Sequence, residues 1–314
     1  MNDEDLDFHF ASLEERKESF RNMHEEWAWA ASVEDDVNVR LASPQYRRAR
    51  SCVGCLEGRV VVSLASYPMR YMVQGQPLAG IAIGAVFTVP EYRRRGYAAR
   101  LIEWVERVER QGGASLSLLF SDIDPAYYAR LGYSICPSWE IVGLSSSDEN
   151  SSTGGSAMLT RFDAASEIES LRKLHDDYHG SLRLAVARDD DYWTYLLRKG
   201  AEDEFYWLSA GEKEPMGYVR LGMHRGRLLV RDFALRDHDE SLYSSLSEAV
   251  AHLLKARHVE RLGGWLPSMS AFECSFELTQ RRAEMSMVKA LAPELDLTHP
   301  ILEAVQYLHE IDHV

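Results

Sequence analysis

The chain reads as an α/β or α+β protein in two halves. Short apolar strands alternate with amphipathic helices throughout. A polar stretch, SSSDENSSTGGS at 145–156, divides the chain near its middle. The order strand, loop, helix, strand recurs on both sides of it, which points to a duplicated fold. The expected division is a first domain over 1–144, a linker over 145–157 and a second domain over 158–314.

Each element has a local reason. Ser12 and Glu15 fit a capping box that opens a helix running to about Trp29. Cys52–Leu56 and Arg59–Ser66 flank Glu57-Gly58 as a hairpin, and Gln74-Gly75-Gln76 turns the chain into LAGIAIGAVFTV at 78–89. A helix beginning near Tyr97, a strand at 114–120, a helix around Tyr127 and a strand at Trp139–Leu144 complete the first half. In the second half, 164–180 and 189–199 read as helices, and FYWLSAG, MGYVRLGMH and RLLVRDFAL as strands. A helix from Ser241 to Ala256 and a strand at Leu262–Trp265 follow.

Composition narrows the function classes. At 314 residues the chain suits two domains, and 46% hydrophobic with 27% charged residues is a globular balance. The acidic start MNDEDLDFHF lacks the features of a secretory leader, and no apolar run approaches the ~18 residues of a membrane span. A net charge of −14 argues against nucleic-acid binding and suits a cationic substrate. Four cysteines make no disulfide framework, so the cytoplasm is the expected location. A homo-oligomer stays open.

The stretch TVPEYRRRGYAARLIEWV at 88–105 places Arg93, Arg94 and Arg95 beside a helix start. A helix N-terminus already carries unpaired N–H groups and about half a positive charge, so three more cations are frustrated unless an anion binds there. Gly96 lets backbone approach a ligand closely, and Ala98 leaves the first turn uncluttered. The stretch therefore reads as a pyrophosphate cradle. Leu101, Val105 and Val108 form its inward stripe, with Glu103–Arg107 and Glu106–Arg110 as outward pairs. The alternative is a solvated basic turn.

R-x-x-G-x-A opening a helix, followed by AYYARLGY at 126–133, resembles the GNAT acetyltransferase superfamily over residues 10–144. Within it the chain looks closest to the branch of fungal lysine N-acetyltransferases, and next to the enhanced-intracellular-survival acetyltransferases, whose usual sterol-carrier-like domain 314 residues leave little room for. The resemblance implies a mixed, mostly antiparallel sheet flanked by helices, acetyl-CoA as co-substrate and direct acetyl transfer to a primary amine. It implies that Arg94, Arg95, Gly96, Tyr97, Ala98 and Ala99 bind the pyrophosphate, and that the backbone of Phe87, Thr88 and Val89 pairs with the pantetheine arm. Tyr128 aligns with the general acid that protonates the departing thiolate, Tyr127 with a packing aromatic, and Tyr133 with core.

The base is where the chain departs from the family, because 78–89 lacks the strand glutamate many members carry. Asp122 and Asp124 are the nearest carboxylates in sequence, as a base through water, as a site for the cationic amine, or simply as caps of the Tyr127 helix. In the survival branch the terminal carboxylate is the base, which here would be Val314. No metal is expected: Cys52 and Cys55 point to opposite faces of a strand, and His175 and His179 read as surface residues. At the second half's equivalent of the cradle, Asp237, Asp239 and Glu240 would repel a pyrophosphate, so that half reads as a degenerate GNAT-like domain. The expected function is acetylation of a small, lysine-like amine. The competing reading is an acetyl-CoA sensor without turnover.

Overall fold

The computed structural model describes residues 6–145, 157–211 and 214–314. Most of the expected linker, residues 146–156, lies outside the described residues. The chain runs β1 (Asp7–Phe10), α1 (Leu13–Trp27), α2 (Val33–Ala42), α3 (Pro44–Arg48), β2 (Arg50–Leu56), β3 (Arg59–Val73), β4 (Gln76–Thr88), α4 (Tyr97–Gln111), β5 (Leu116–Ser121) and α5 (Ala126–Ala129). It continues through β6 (Ser134–Ile135), β7 (Trp139–Leu144), β8 (Met158–Phe162), α6 (Ile168–Gly180), β9 (Leu184–Val186), α7 (Asp190–Lys199), β10 (Glu204–Ser209) and β11 (Gly217–His224). Last come β12 (Arg227–Leu235), α8 (Glu240–Ala256), β13 (Leu262–Gly264), α9 (Ser270–Glu273), β14 (Phe276–Gln280), β15 (Met285–Ala290) and α10 (His299–Ala304).

Local chemistry sets many of these boundaries. The α1 capping box forms: Glu15 N–H donates to Ser12 Oγ at 3.4 Å, and Ser12 N–H to Glu15 Oε2 at 2.7 Å. The β2–β3 and β3–β4 hairpins turn through Glu57-Gly58 and Gln74-Gly75, with both residues of each pair at positive φ, as tight hairpin turns require.

The first sheet has the order β1-β2-β3-β4-β5-β15-β6, with β9 on β3, and every described pairing is antiparallel except β4 with β5. Its central strands are buried on both faces. Ile81, Ile83, Leu119 and Met287 pack under α4, and Ala82, Leu118 and Val288 face α1 and α2. The second sheet is β13-β12-β11-β10-β8, and β12 and β13 are parallel. Strand–helix–parallel strand thus occurs twice, as β4–α4–β5 and as β12–α8–β13.

Two features differ from the sequence reading. Strand β7, expected to finish the first sheet, pairs with β14 instead, while β15 from beyond residue 280 covers β5. An edge strand as apolar as Leu116–Leu119 needs a partner, and the chain supplies one from far away in sequence. The sheets therefore do not divide at 145–157. Second, Glu106 is not an outward member of α4: it is buried and pairs with Lys289 of β15, and buried Glu109 meets Arg50 at 3.0 Å.

Candidate active site

The site forms where β4 parts from β5. The two strands are paired from Gly80–Leu116 to Ile83–Leu119. Beyond Ile83, β4 shifts register against β3 between Ser63 and Ala65, and Ala85 takes the left-handed conformation at φ 50°. Such a bulge bends the strand and opens a cleft at its end. The last residue of the sequence reaches this place. A Cβ on Gly84 would lie 3.1 Å from the Val314 backbone oxygen and 3.3 Å from its backbone carbonyl carbon. A side chain there would press on Val314 by a few tenths of an ångström, and glycine leaves the approach unstrained.

Past the bulge, Phe87 and Thr88 remain paired to Ser63 and Val62 of β3, and Val89 N–H donates to Val61 O at 3.0 Å. Phe87 is buried with its ring 5.4 Å from that of Trp27. The arginine loop follows. Arg93 serves the scaffold: its Nε donates to Thr88 O at 2.9 Å and its guanidinium pairs with Glu26. Arg94, at φ 63°, and Arg95 are exposed, and Arg95 donates to Glu91 O at 3.2 Å while lying over Tyr92.

Gly96 is the N-cap of α4 at φ 77°, with no side-chain cap and no acidic residue in the first turn. A Cβ there would meet nothing within 4 Å, so the helix start opens onto free space. Tyr97 is buried and Ala98 and Ala99 half-buried. Amides without a side-chain cap, a left-handed glycine and exposed guanidinium groups are features that favour an anion at a helix start. The second half differs at the matching crossover. There Asp239 caps α8 with its own carboxylate, accepting from Ser241 N–H at 2.7 Å, and Glu240 occupies the first turn.

Tyr128 lies on α5, beyond β5, with 8% of its surface exposed. Burial, helped by Tyr127 and Asp122, pushes its phenol up to about 12, so it holds its proton at neutral pH. Tyr127 is half-buried, edge-on to Tyr128 at 5.0 Å. Tyr133 is core and bonded to Ser117 Oγ at 2.6 Å. Asp122 is exposed and accepts from Glu284 N–H at 3.1 Å, and Asp124 accepts from Ala126 N–H at 2.9 Å as a turn residue.

His175 and His179 are a correction. Both are buried, stacked with ring centres 3.9 Å apart, and His179 is bonded to His309 at 2.9 Å. Cys52 lies in the core under α4 and Cys55 in a separate small cluster. His9, Glu15 and Cys55 bring potential ligand atoms within 4.8 Å of one another, where Glu15 also completes the capping box. A cavity of about 1310 Å³, lined by Arg48, Arg70, Gly80 and Tyr192 among others, sits at the opposite end of β4 from the cradle. No helix among the described residues is long and apolar enough to cross a membrane.

A family model described as an acetyltransferase (GNAT) domain matches residues 11–136, the stretch holding the cradle and Tyr128. No curated protein matches the chain in sequence. Among solved structures, a probable N-acyltransferase of Enterococcus faecalis V583 superposes with a TM-score of 0.70 at 14% identity, over 91% of this chain and 72% of that one. A GCN5-related N-acetyltransferase from Anabaena variabilis gives 0.67 at 19% identity, over 91% and 73%. Eis1 from Mycobacterium abscessus gives 0.58 at 17% identity, over 92% and 74%. At these identities the likenesses show a shared fold running through both halves, while the family model carries the activity. Residues 11–136 are therefore similar to a GNAT acetyltransferase domain, and the chain is an N-acetyltransferase.

Proposed function

We propose that the protein transfers the acetyl group of acetyl-CoA to the primary amine of a small cationic acceptor, with a lysine-like amine preferred. The observation that carries this reading is the start of α4: a left-handed Gly96, amides without a side-chain cap, and Arg94 and Arg95 exposed beside them. That arrangement suits a pyrophosphate better than water. Arg94 to Ala99 hold the diphosphate, and the backbone at Phe87 to Val89 lines the pantetheine arm.

The neutral amine attacks the thioester carbonyl carbon. Its surplus proton passes to a carboxylate, for which Asp122, exposed and bonded to Glu284 N–H, is the candidate. As the carbon–sulfur bond breaks, Tyr128 donates its proton to the thiolate and recovers one from solvent. Its elevated pKa keeps the donor protonated until that moment. The net acidity of the chain, −14, favours a cationic acceptor.

The test is release of free thiol from acetyl-CoA against lysine, polyamines, aminoglycosides and lysine peptides. Turnover with a lysine-like amine is expected. Tight binding of acetyl-CoA with no turnover on any acceptor would instead make the protein a sensor. Tyr128→Phe should lower kcat about 10²-fold or more while leaving acetyl-CoA affinity unchanged, as loss of a general acid does. A wild-type rate would remove Tyr128 from that role.

A further inference from the structure

Donors of the kind that bind transition metals meet at the β1 edge of the first sheet. His9 lies on β1, Glu15 in the first turn of α1, and Cys55 on β2. Their ligand atoms all fall within 4.8 Å of one another. His9 Nε2 is 2.8 Å from Glu15 Oε1, and Cys55 Sγ is 3.7 Å from the same oxygen. Cys55 is buried, whereas His9 and Glu15 are partly exposed, so a solvent ligand can reach the group.

Neighbouring contacts set each donor. The capping box uses one oxygen of Glu15: Oε2 accepts from Ser12 N–H and from Ser12 Oγ, both at 2.7 Å, which turns Oε1 toward His9 and Cys55. Asp7 Oδ2 lies 3.1 Å from Nδ1 of His9, so a carboxylate orients the imidazole from its far side, the usual support of a metal-bound histidine. Strand β2 shifts register between Gly54 and Cys55, and such an irregularity re-aims a side chain. Cys55 packs there with Val53, Val60 and Ala11, apart from Cys52 in the core under α4. The electrostatics point the same way. Glu15, Glu18 and Asp7 are the charges that bear on the sulfur, and among the described residues no lysine or arginine pairs with any of them. What the group lacks is a cation.

We propose that His9 Nε2, Glu15 Oε1 and Cys55 Sγ bind one zinc ion, with water as the fourth ligand, and that the ion clamps β1 and the start of α1 to β2. Nitrogen, thiolate sulfur and carboxylate oxygen together suit zinc, a borderline-soft ion that takes four such ligands. At the usual bond lengths, tetrahedral neighbours stand roughly 3.3–3.7 Å apart. The 3.7 Å between Cys55 and Glu15 already matches, and His9 has to withdraw from Glu15 by about half an ångström. Cys55 gives up its proton to solvent as the sulfur–zinc bond forms. Thiolate and carboxylate then neutralise the ion. The clamp falls on β1, a four-residue strand at the edge of the sheet, paired to β2.

The experiment uses full-length protein freed of metal with a chelator, titrated with zinc and with cobalt(II) as a coloured substitute. Its readouts need no turnover. One zinc ion per chain should bind at micromolar concentration or below. Cobalt should give a thiolate-to-metal charge-transfer band and the visible bands of a tetrahedral ion. Cys55→Ser should abolish the charge-transfer band. Glu15→Gln, which keeps the capping box, should weaken zinc at least about 10-fold. A band that survives in Cys55→Ser places the metal at another thiol, such as exposed Cys274, and overturns the proposal. Zinc affinity unchanged in Glu15→Gln, or no binding by the wild type, overturns it equally. Should Cys55→Ser fail to fold, His9→Gln decides: loss of the tetrahedral cobalt spectrum is expected, and a wild-type spectrum and affinity overturn the proposal.

Discussion

Gly96 concentrates the cradle argument in one residue. A side chain at this position meets no neighbour, yet its φ of 77° strains any residue with a Cβ, by roughly 1–2 kcal/mol. Gly96→Glu should therefore fold with slightly reduced stability but bind acetyl-CoA at least about 10²-fold more weakly, since a carboxylate would occupy the anion's place. Calorimetric titration measures this, and undiminished affinity would remove the cradle from the site. Gly96 and Tyr128, the proposed anion site and acid, stand out in the sequence because each belongs to a short, local pattern. The grouping of His9, Glu15 and Cys55 does not. Glu15 reads there as part of a capping box, and nothing nearby in sequence marks its neighbour Cys55, 40 residues away.

Elements with their own punctuation were readable in advance. The capping box at Ser12, the two hairpin turns, and strand β12 at 227–235 fall where turn and cap chemistry put them. Ser12→Ala should cost about 1 kcal/mol of stability, measured by urea unfolding, because Glu15 N–H loses its acceptor. A change below a few tenths would mean that packing alone fixes the start of α1. Elements defined by a distant partner escaped the sequence reading. MSMVKA at 285–290 has no strong alternation, and it is a strand because β5 exposes an edge to it. Leu184–Val186 is a strand because the end of β3 needs one. Spacing likewise marked Glu106 of α4 as a solvated partner of Arg110, whereas Lys289 draws it inside.

At the scale of the whole molecule, an ionic and aromatic network lies within the second half of the chain. Arg188, Asp232 and Asp312 are buried with His309 and His179, drawn from four stretches of chain. Burial holds His175, His179 and His309 below the ordinary histidine value of 6.5 and lowers His313 to about 3. The unfolded chain takes up protons on these rings near pH 6.5, while the folded protein does so only at lower pH. Stability is therefore full above that value and is lost as pH falls from 6.5 toward 3. Asp232, held low by Arg188 despite its burial, adds a further loss below its ordinary 3.8. The melting temperature should be level above about pH 7 and fall steadily below 6.5, and a flat profile down to about pH 4.5 would contradict the buried histidines. The sequence by itself determined the alternation of helices and strands and marked the residues proposed as anion site and acid, since these patterns follow from spacing, turn chemistry and charge within a few tens of residues. Only the tertiary structure decided which strands complete the first sheet, that the paired histidines are core, and that Val314 reaches the bulge in β4. Those outcomes depend on which distant surfaces bury one another, and no local pattern encodes that choice.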